Sequence, residues 1–161
     1  MKNLAIIFIL SVSISYSQNY SSNRQIPADS KVITNHTTSI LGKKVSYSAQ
    51  AGTQPVWDSK GNVIATLYYT YYKRTDVDDN SNRPIAFSFN GGPGSASIWM
   101  HLGYTGPYSL IIDDEGYPIQ PYGYKTNPFS ILDVADIVFV NPINVGFSRI
   151  LKDMTKEEAT K

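Results

Sequence analysis

The sequence predicts an α/β chain in which antiparallel β-hairpins lead into the first parallel strands of an incomplete sheet. Three observations carry that expectation. Residues 63–74, VIATLYYTYYKR, are β-branched and aromatic and alternate in part, as a half-buried strand does. Residues 85–89 and 137–140, IAFSF and IVFV, are short continuous apolar runs of the kind buried on both faces of a parallel sheet. Each of these runs stops at a polar, turn-rich segment, NGGPG from Asn90 and NPIN from Asn141. Open α/β sheets carry their sites outside the carboxyl ends of such strands.

Length and composition bound the rest. A chain of 161 residues is one domain at most, and 42% hydrophobic with 17% charged residues excludes a disordered tail. Fourteen Lys and Arg oppose thirteen Asp and Glu, which excludes a basic field for nucleic acid. Cysteine is absent, so disulfides, thiolate metal sites and Cys nucleophiles are excluded. Two histidines, His36 and His101, leave little for an imidazole metal site, and no cofactor is expected.

The elements follow in order. Residues 1–17 have a positive start at Lys2, an apolar run over 4–10, and small Ser15 and Ser17 before Gln18. That is the layout of a signal peptide, and the run is short of the roughly 20 residues a membrane span needs. The chain is therefore expected to be exported, periplasmic or extracellular, with no membrane contact after cleavage. Residues 18–35, rich in Ser, Asn and Gln, read as a flexible polar arm, and 36–161 as the folded part. HTTSIL, Gly42-Lys43-Lys44 and VSYSAQ read as one hairpin. VWD, Ser59-Lys60-Gly61-Asn62 and the aromatic run read as a second. Residues 74–84 form a polar loop, and Asp113-Asp114-Glu115-Gly116 a solvated turn. Residues 152–161 open like a helix or charged loop without a closing element, which reads as a truncated frame or a cut chain.

The chemistry concentrates at residues 90–97, NGGPGSAS. Glycine is entropically costly, and three in four positions point to left-handed backbone or close approach of a ligand. Bare N–H groups at Gly91 and Gly92 are suited to an anion, as an oxyanion hole requires. The spacing is not that of a phosphate loop.

PIAFSFNGGPGSASIWMHLGYTGP resembles the NGGPG block of serine carboxypeptidases, a group with the α/β-hydrolase fold. A second block, NPFSILDVADIVFVNPINVGFSR, resembles that family's later stretch ending in Asp-Pro-x-Gly-x-Gly-aromatic-Ser. The resemblance covers roughly residues 40–150, and a Cys-free chain suits a bacterial member. It implies a peptide substrate and release of C-terminal residues by a Ser-His-Asp triad. It also implies roles by position. Gly92 matches the oxyanion-hole glycine, Asn90 and Gly91 the holders of the substrate carboxylate, and Trp99 with Met100 the pocket for the leaving residue. Ser95 stands where the family often has Cys, Tyr104 where many members have Glu, and Asn141 and Asn144 where it has Asp and Gly.

The nucleophile belongs to a Gly-x-Ser-x-Gly elbow. None occurs here, because Gly146-Phe147-Ser148 is followed by Arg149-Ile150. Nucleophile, base and acid are thus all expected to be missing, leaving the chain inactive alone. His101 lies four residues after Ser97, a helical spacing, but no orienting carboxylate is visible and a solvent or interface role is expected. Two other readings stay open. One is another α/β-hydrolase such as a proline iminopeptidase, against which Asn90 and the second block argue. The other is an exported β-rich binding module with Tyr68, Tyr69, Tyr71 and Tyr72 as an adhesive face.

Overall fold

The computed structural model describes residues 28–79, 81–92 and 94–151. Strands β1 (Ser30–Ile40), β2 (Lys43–Trp57) and β3 (Val63–Arg74) form a continuous antiparallel meander. Leu41 and Gly42, with φ of 49° and 76°, make the first turn. Two left-handed residues in succession twist in the sense the flanking strands require. The second turn closes on Asp58, whose Oδ1 accepts the N–H groups of Lys60 and Asn62 at 2.9 Å each.

The two expected hairpins therefore share one long strand. Residues 51–55, with Gly52 and Pro55, lie inside β2. Gly52 is required by crowding: a Cβ there would stand 2.6 Å from the Ser30 carbonyl oxygen and 2.9 Å from the Tyr69 hydroxyl. Pro55 sits past the last β1 partner, Thr53, where β2 has a neighbour on one side only among the described residues. Residues 30–35 of the expected polar arm are strand as well. Their ladder with β2 forms from the backbone, so it needs no apolar side chains. The expected signal peptide, residues 18–27 of the arm and residues 152–161 lie outside the described residues.

The next elements are β4 (Ile85–Ser88), a π-helix (Trp99–Thr105), β5 (Tyr108–Leu110), β6 (Tyr124–Thr126), a 3-10 helix (Ile131–Asp133), β7 (Asp136–Val140) and β8 (Arg149–Ile150). The main sheet runs β1-β2-β3-β7-β4, with β8 pairing β3, and β5 pairs β6 in a separate ribbon. β7 is antiparallel to β3 and parallel to β4. The described part of the chain is thus mostly β-sheet with one parallel pair. The segment in which Ser97 and His101 stand at helical spacing runs into a seven-residue π-helix, in which the Gly106 N–H reaches back five residues to the His101 carbonyl at 3.1 Å.

The burial on both faces expected for the two apolar runs is met on one face of β7 only, with Val138 and Val140 on its other face partly buried. Ile137 and Phe139 are buried, whereas Ile85, Phe87 and Phe89 are exposed. β4 ends the strand order, so its outer edge has no partner among the described residues, and these apolar side chains stand on the face away from the core. The core lies on the opposite face of the sheet. There Ile40, Val45, Tyr47, Leu132, Ile137 and Phe139 pack with Met100, Tyr108 and Ile131. A polar knot pins the start of β7. Asp136, 4% exposed, accepts from Arg83 Nε at 3.1 Å, from the Arg74 N–H at 3.1 Å and from the Tyr71 hydroxyl at 3.3 Å.

Candidate functional site

Because β4 and β7 are parallel neighbours, their carboxyl ends emerge side by side. Two loops leave from there: one carries Asn90 to Ser97, the other Asn141 to Ser148. They are tied together by short polar side chains. The Ser97 N–H donates to Asn141 Oδ1 at 3.1 Å. The Ser97 hydroxyl, 2% exposed, accepts the Asn90 N–H at 3.3 Å and donates to the Val140 carbonyl. Behind the second loop, the fully buried Ser148 hydroxyl donates to the Asn141 carbonyl at 2.7 Å and accepts the Tyr68 N–H at 2.8 Å. Small hydroxyl residues suit this place because they bond backbone groups at close range.

Asn90 closes the first loop on itself. Its Nδ2 donates to the Ser95 hydroxyl at 2.8 Å and to the Gly91 carbonyl at 3.4 Å, and its Oδ1 accepts the Met100 N–H at 3.3 Å. Between these anchors Gly91 and Gly92 are exposed, and their N–H groups have no acceptor among the described residues. Gly92 takes φ +85°, a left-handed conformation that side chains resist, and a Cβ at Gly91, Gly92 or Gly94 would meet nothing within 4 Å. The result is a pair of backbone donors at the end of a strand, able to meet a carboxylate or an oxyanion.

Trp99 and Met100 part company. Met100 turns to the core, while Trp99, half exposed, lines a cavity of about 310 Å³ with Gly103, Tyr104, Leu110, Ile112 and Glu115. Asn144 adopts φ 62°, so it holds the left-handed turn a glycine would otherwise supply.

His101 is not a solvent histidine. Its ring stacks on Phe139 with centroids 4.4 Å apart, and its Nε2 meets the Tyr72 hydroxyl at 2.7 Å. Burial pushes its pKa down to about 4, and burial, with neighbouring Tyr68 and Tyr108, pushes Tyr72 up to about 12. Ser97 and His101 share a backbone bond, His101 N–H to the Ser97 carbonyl at 3.0 Å, but the Ser97 hydroxyl faces Val140. His36 meets Thr34 Oγ1 at 2.6 Å on the exposed strand β1. The Asp113 turn is a turn: its carboxylate accepts the Tyr117 N–H at 2.7 Å. No cluster of three or more metal-ligating side chains occurs among the described residues, and no helix there is long and apolar enough to cross a membrane.

The four tyrosines do not form a free adhesive face. Tyr68 packs on Phe147, Tyr69 bonds Gln50, Tyr71 donates to Asp136, and Tyr72 joins His101 and Tyr47. Sequence reasoning missed the tie between Ser97 and Asn141. The two residues are 44 positions apart, and nothing local marks either as a partner of the other.

The family model described as serine carboxypeptidase matches residues 41–161. The chain is similar to serine carboxypeptidase-like 31 of Arabidopsis thaliana, 30% identical over 110 residues that cover 65% of this chain and 19% of that protein. It is also similar to the pheromone-processing carboxypeptidase KEX1 of Saccharomyces cerevisiae, 33% identical over 85 residues, 51% of this chain and 11% of that one. The chain thus spans a fifth or less of the length of these curated relatives. Among solved structures, a prohormone-processing carboxypeptidase from Saccharomyces cerevisiae aligns over 69% of this chain and 22% of its own. The identity is 24% and the TM-score 0.49.

Proposed function

The chain belongs to the serine carboxypeptidase family, and from that premise we propose that it is the substrate-carboxylate and oxyanion segment of an exported serine-type carboxypeptidase. One observation carries the reading. Two consecutive backbone donors, Gly91 and Gly92, stand exposed, without acceptors among the described residues, just past the carboxyl end of β4 in a loop closed by Asn90. In this reading the Gly92 N–H donates to the oxygen of the tetrahedral intermediate. Gly91 and Asn90 donate to the free carboxylate of the peptide, and Trp99 lines the pocket for the leaving residue. Backbone donors held in place need no reorganisation as charge develops, which is where most of the stabilisation arises. Asn90 serves the carboxylate by exchanging the bond from its Nδ2 to Ser95, since both termini of its amide are engaged in the free loop.

The parallel pair β4–β7 is, in the same reading, the start of an α/β-hydrolase sheet, and residues 1–17 direct export. The sequence holds no Gly-x-Ser-x-Gly elbow, so nucleophile, acid and base come from elsewhere and the 161-residue polypeptide is inactive alone. The test is hydrolysis by the whole protein of an N-blocked dipeptide, compared with the same dipeptide carrying a C-terminal amide. The free acid is expected to be cleaved at least about tenfold better, and Asn90→Leu to raise its KM while leaving the amide's unchanged. Equal cleavage of acid and amide overturns the carboxylate role. Activity that survives a serine-directed fluorophosphonate overturns the serine mechanism.

A further inference from the structure

We propose that Ser97 and Asn141 are positioning residues: they lock the loop after β4 to the loop after β7 and thereby aim the Gly91 and Gly92 N–H groups. The proposal rests on the reading that these groups face substrate.

Gly91, Gly92 and Gly94 have no side chains, and a Cβ at any of them would touch nothing within 4 Å. The loop therefore gets no orientation from packing, and glycine gives up more backbone freedom on ordering than any other residue. Its direction must be set at its ends. The tie from Asn90 to Ser95 lies within the loop and fixes its shape, and the tie from Asn90 to Met100 anchors its start to the π-helix that follows, which leaves its aim relative to β7 open. Aim requires bonds to something outside, and Ser97 makes them. Its N–H meets Asn141 Oδ1 at 3.1 Å and its hydroxyl donates to the Val140 carbonyl, while the same hydroxyl accepts from Asn90 at 3.3 Å. One buried residue thus joins Val140, the last residue of β7, to Asn90, two residues past the end of β4.

Asn141 is itself held on every side. Its N–H donates to the Tyr68 carbonyl at 2.9 Å, and its carbonyl accepts from Ser148 at 2.7 Å. Its amide is backed by Gly146, where a Cβ would lie 2.4 Å from Nδ2 at φ +57°. A side chain at 146 would evict the amide. A rigid line therefore runs from β3 through Tyr68, Ser148, Asn141 and Ser97 to Asn90. The acceptor oxygen is the essential feature of residue 141, so a carboxylate can replace the amide there and an alkyl group cannot.

Two measurements on the whole protein test this with Ser97→Ala, Asn141→Leu and Asn141→Asp. The first is amide hydrogen exchange across residues 90–97. It is expected to accelerate by about tenfold or more in Ser97→Ala and Asn141→Leu, with residues 63–74 unchanged and Asn141→Asp close to the parent. The second is steady-state hydrolysis of the blocked dipeptide. In the first two variants kcat is expected to fall by roughly 10- to 100-fold with KM within about threefold, and Asn141→Asp to recover most of the loss. Unchanged exchange across 90–97 overturns the lock whatever the activity. Accelerated exchange with kcat intact overturns the positioning role. A parent protein that hydrolyses no peptide overturns the functional reading and the positioning role with it, and the exchange data then decide whether the lock exists.

Discussion

His101 carries the clearest prediction at the scale of a single residue. It sits under Phe139 and against Tyr72, and burial holds its pKa down at about 4, below the ordinary 6.5. Between those values the unfolded chain binds a proton that the folded chain does not. Stability from this residue is therefore complete above pH 6.5 and is lost as pH falls through that window towards 4. The shift corresponds to at most about 3 kcal/mol, because one pKa unit is worth roughly 1.4 kcal/mol. Thermal melts from pH 7 to pH 4.5 are expected to fall steadily, and His101→Gln to flatten that slope while keeping a partner for Tyr72. An equal slope in both proteins would assign the acid sensitivity to other groups.

Among the elements, the parallel pair β4–β7 depends on the polar knot at its start. Asp136 receives the Arg83 guanidinium, the Arg74 N–H and the Tyr71 hydroxyl, and the Asp136 N–H in turn donates to the Pro84 carbonyl at 2.9 Å. These bonds set the register of Ile85 against Asp136 and so bring the two loops of the site level with each other. Asp136→Ala leaves the buried Arg83 without its carboxylate, which is expected to destabilise the fold by about 3–5 kcal/mol. Urea unfolding measures this. A loss under about 1 kcal/mol, the range of surface ion pairs, would show that the knot is solvated and does not set the register.

For the molecule as a whole, the uncovered face of β4 dominates. Ile85 and Phe87 on the outermost strand of the sheet order, and Phe89 just past its end, present 51%, 65% and 55% of their surface. Neighbouring exposed aromatics of this size make a surface that dyes and other chains find. The 161-residue polypeptide is expected to enhance ANS fluorescence and to self-associate at micromolar concentration, and Phe87→Lys to reduce both. An ANS signal unchanged by that substitution would place the apolar surface elsewhere.

Much of the local order was legible in the sequence. β-Branched and aromatic residues within β3 mark the strand directly, and left-handed backbone demand marks Gly42, Gly61 and Gly92. The continuous runs identified β4 and β7, and the glycine-rich segment marked the exposed loop that follows β4. These signals are local, since periodicity and turn chemistry depend on residues near in sequence. Tertiary structure decided what depends on neighbours far along the chain. β1 extends through polar residues because β2 offers it a ladder, and β2 runs through Gly52 because Tyr69 needs the space. Met100 goes to the core while Trp99 stays at the surface, His101 is stacked and held neutral, and Ser97 finds Asn141 across 44 residues. Composition and spacing specify which backbone shapes are affordable; only packing in three dimensions specifies which side chains meet.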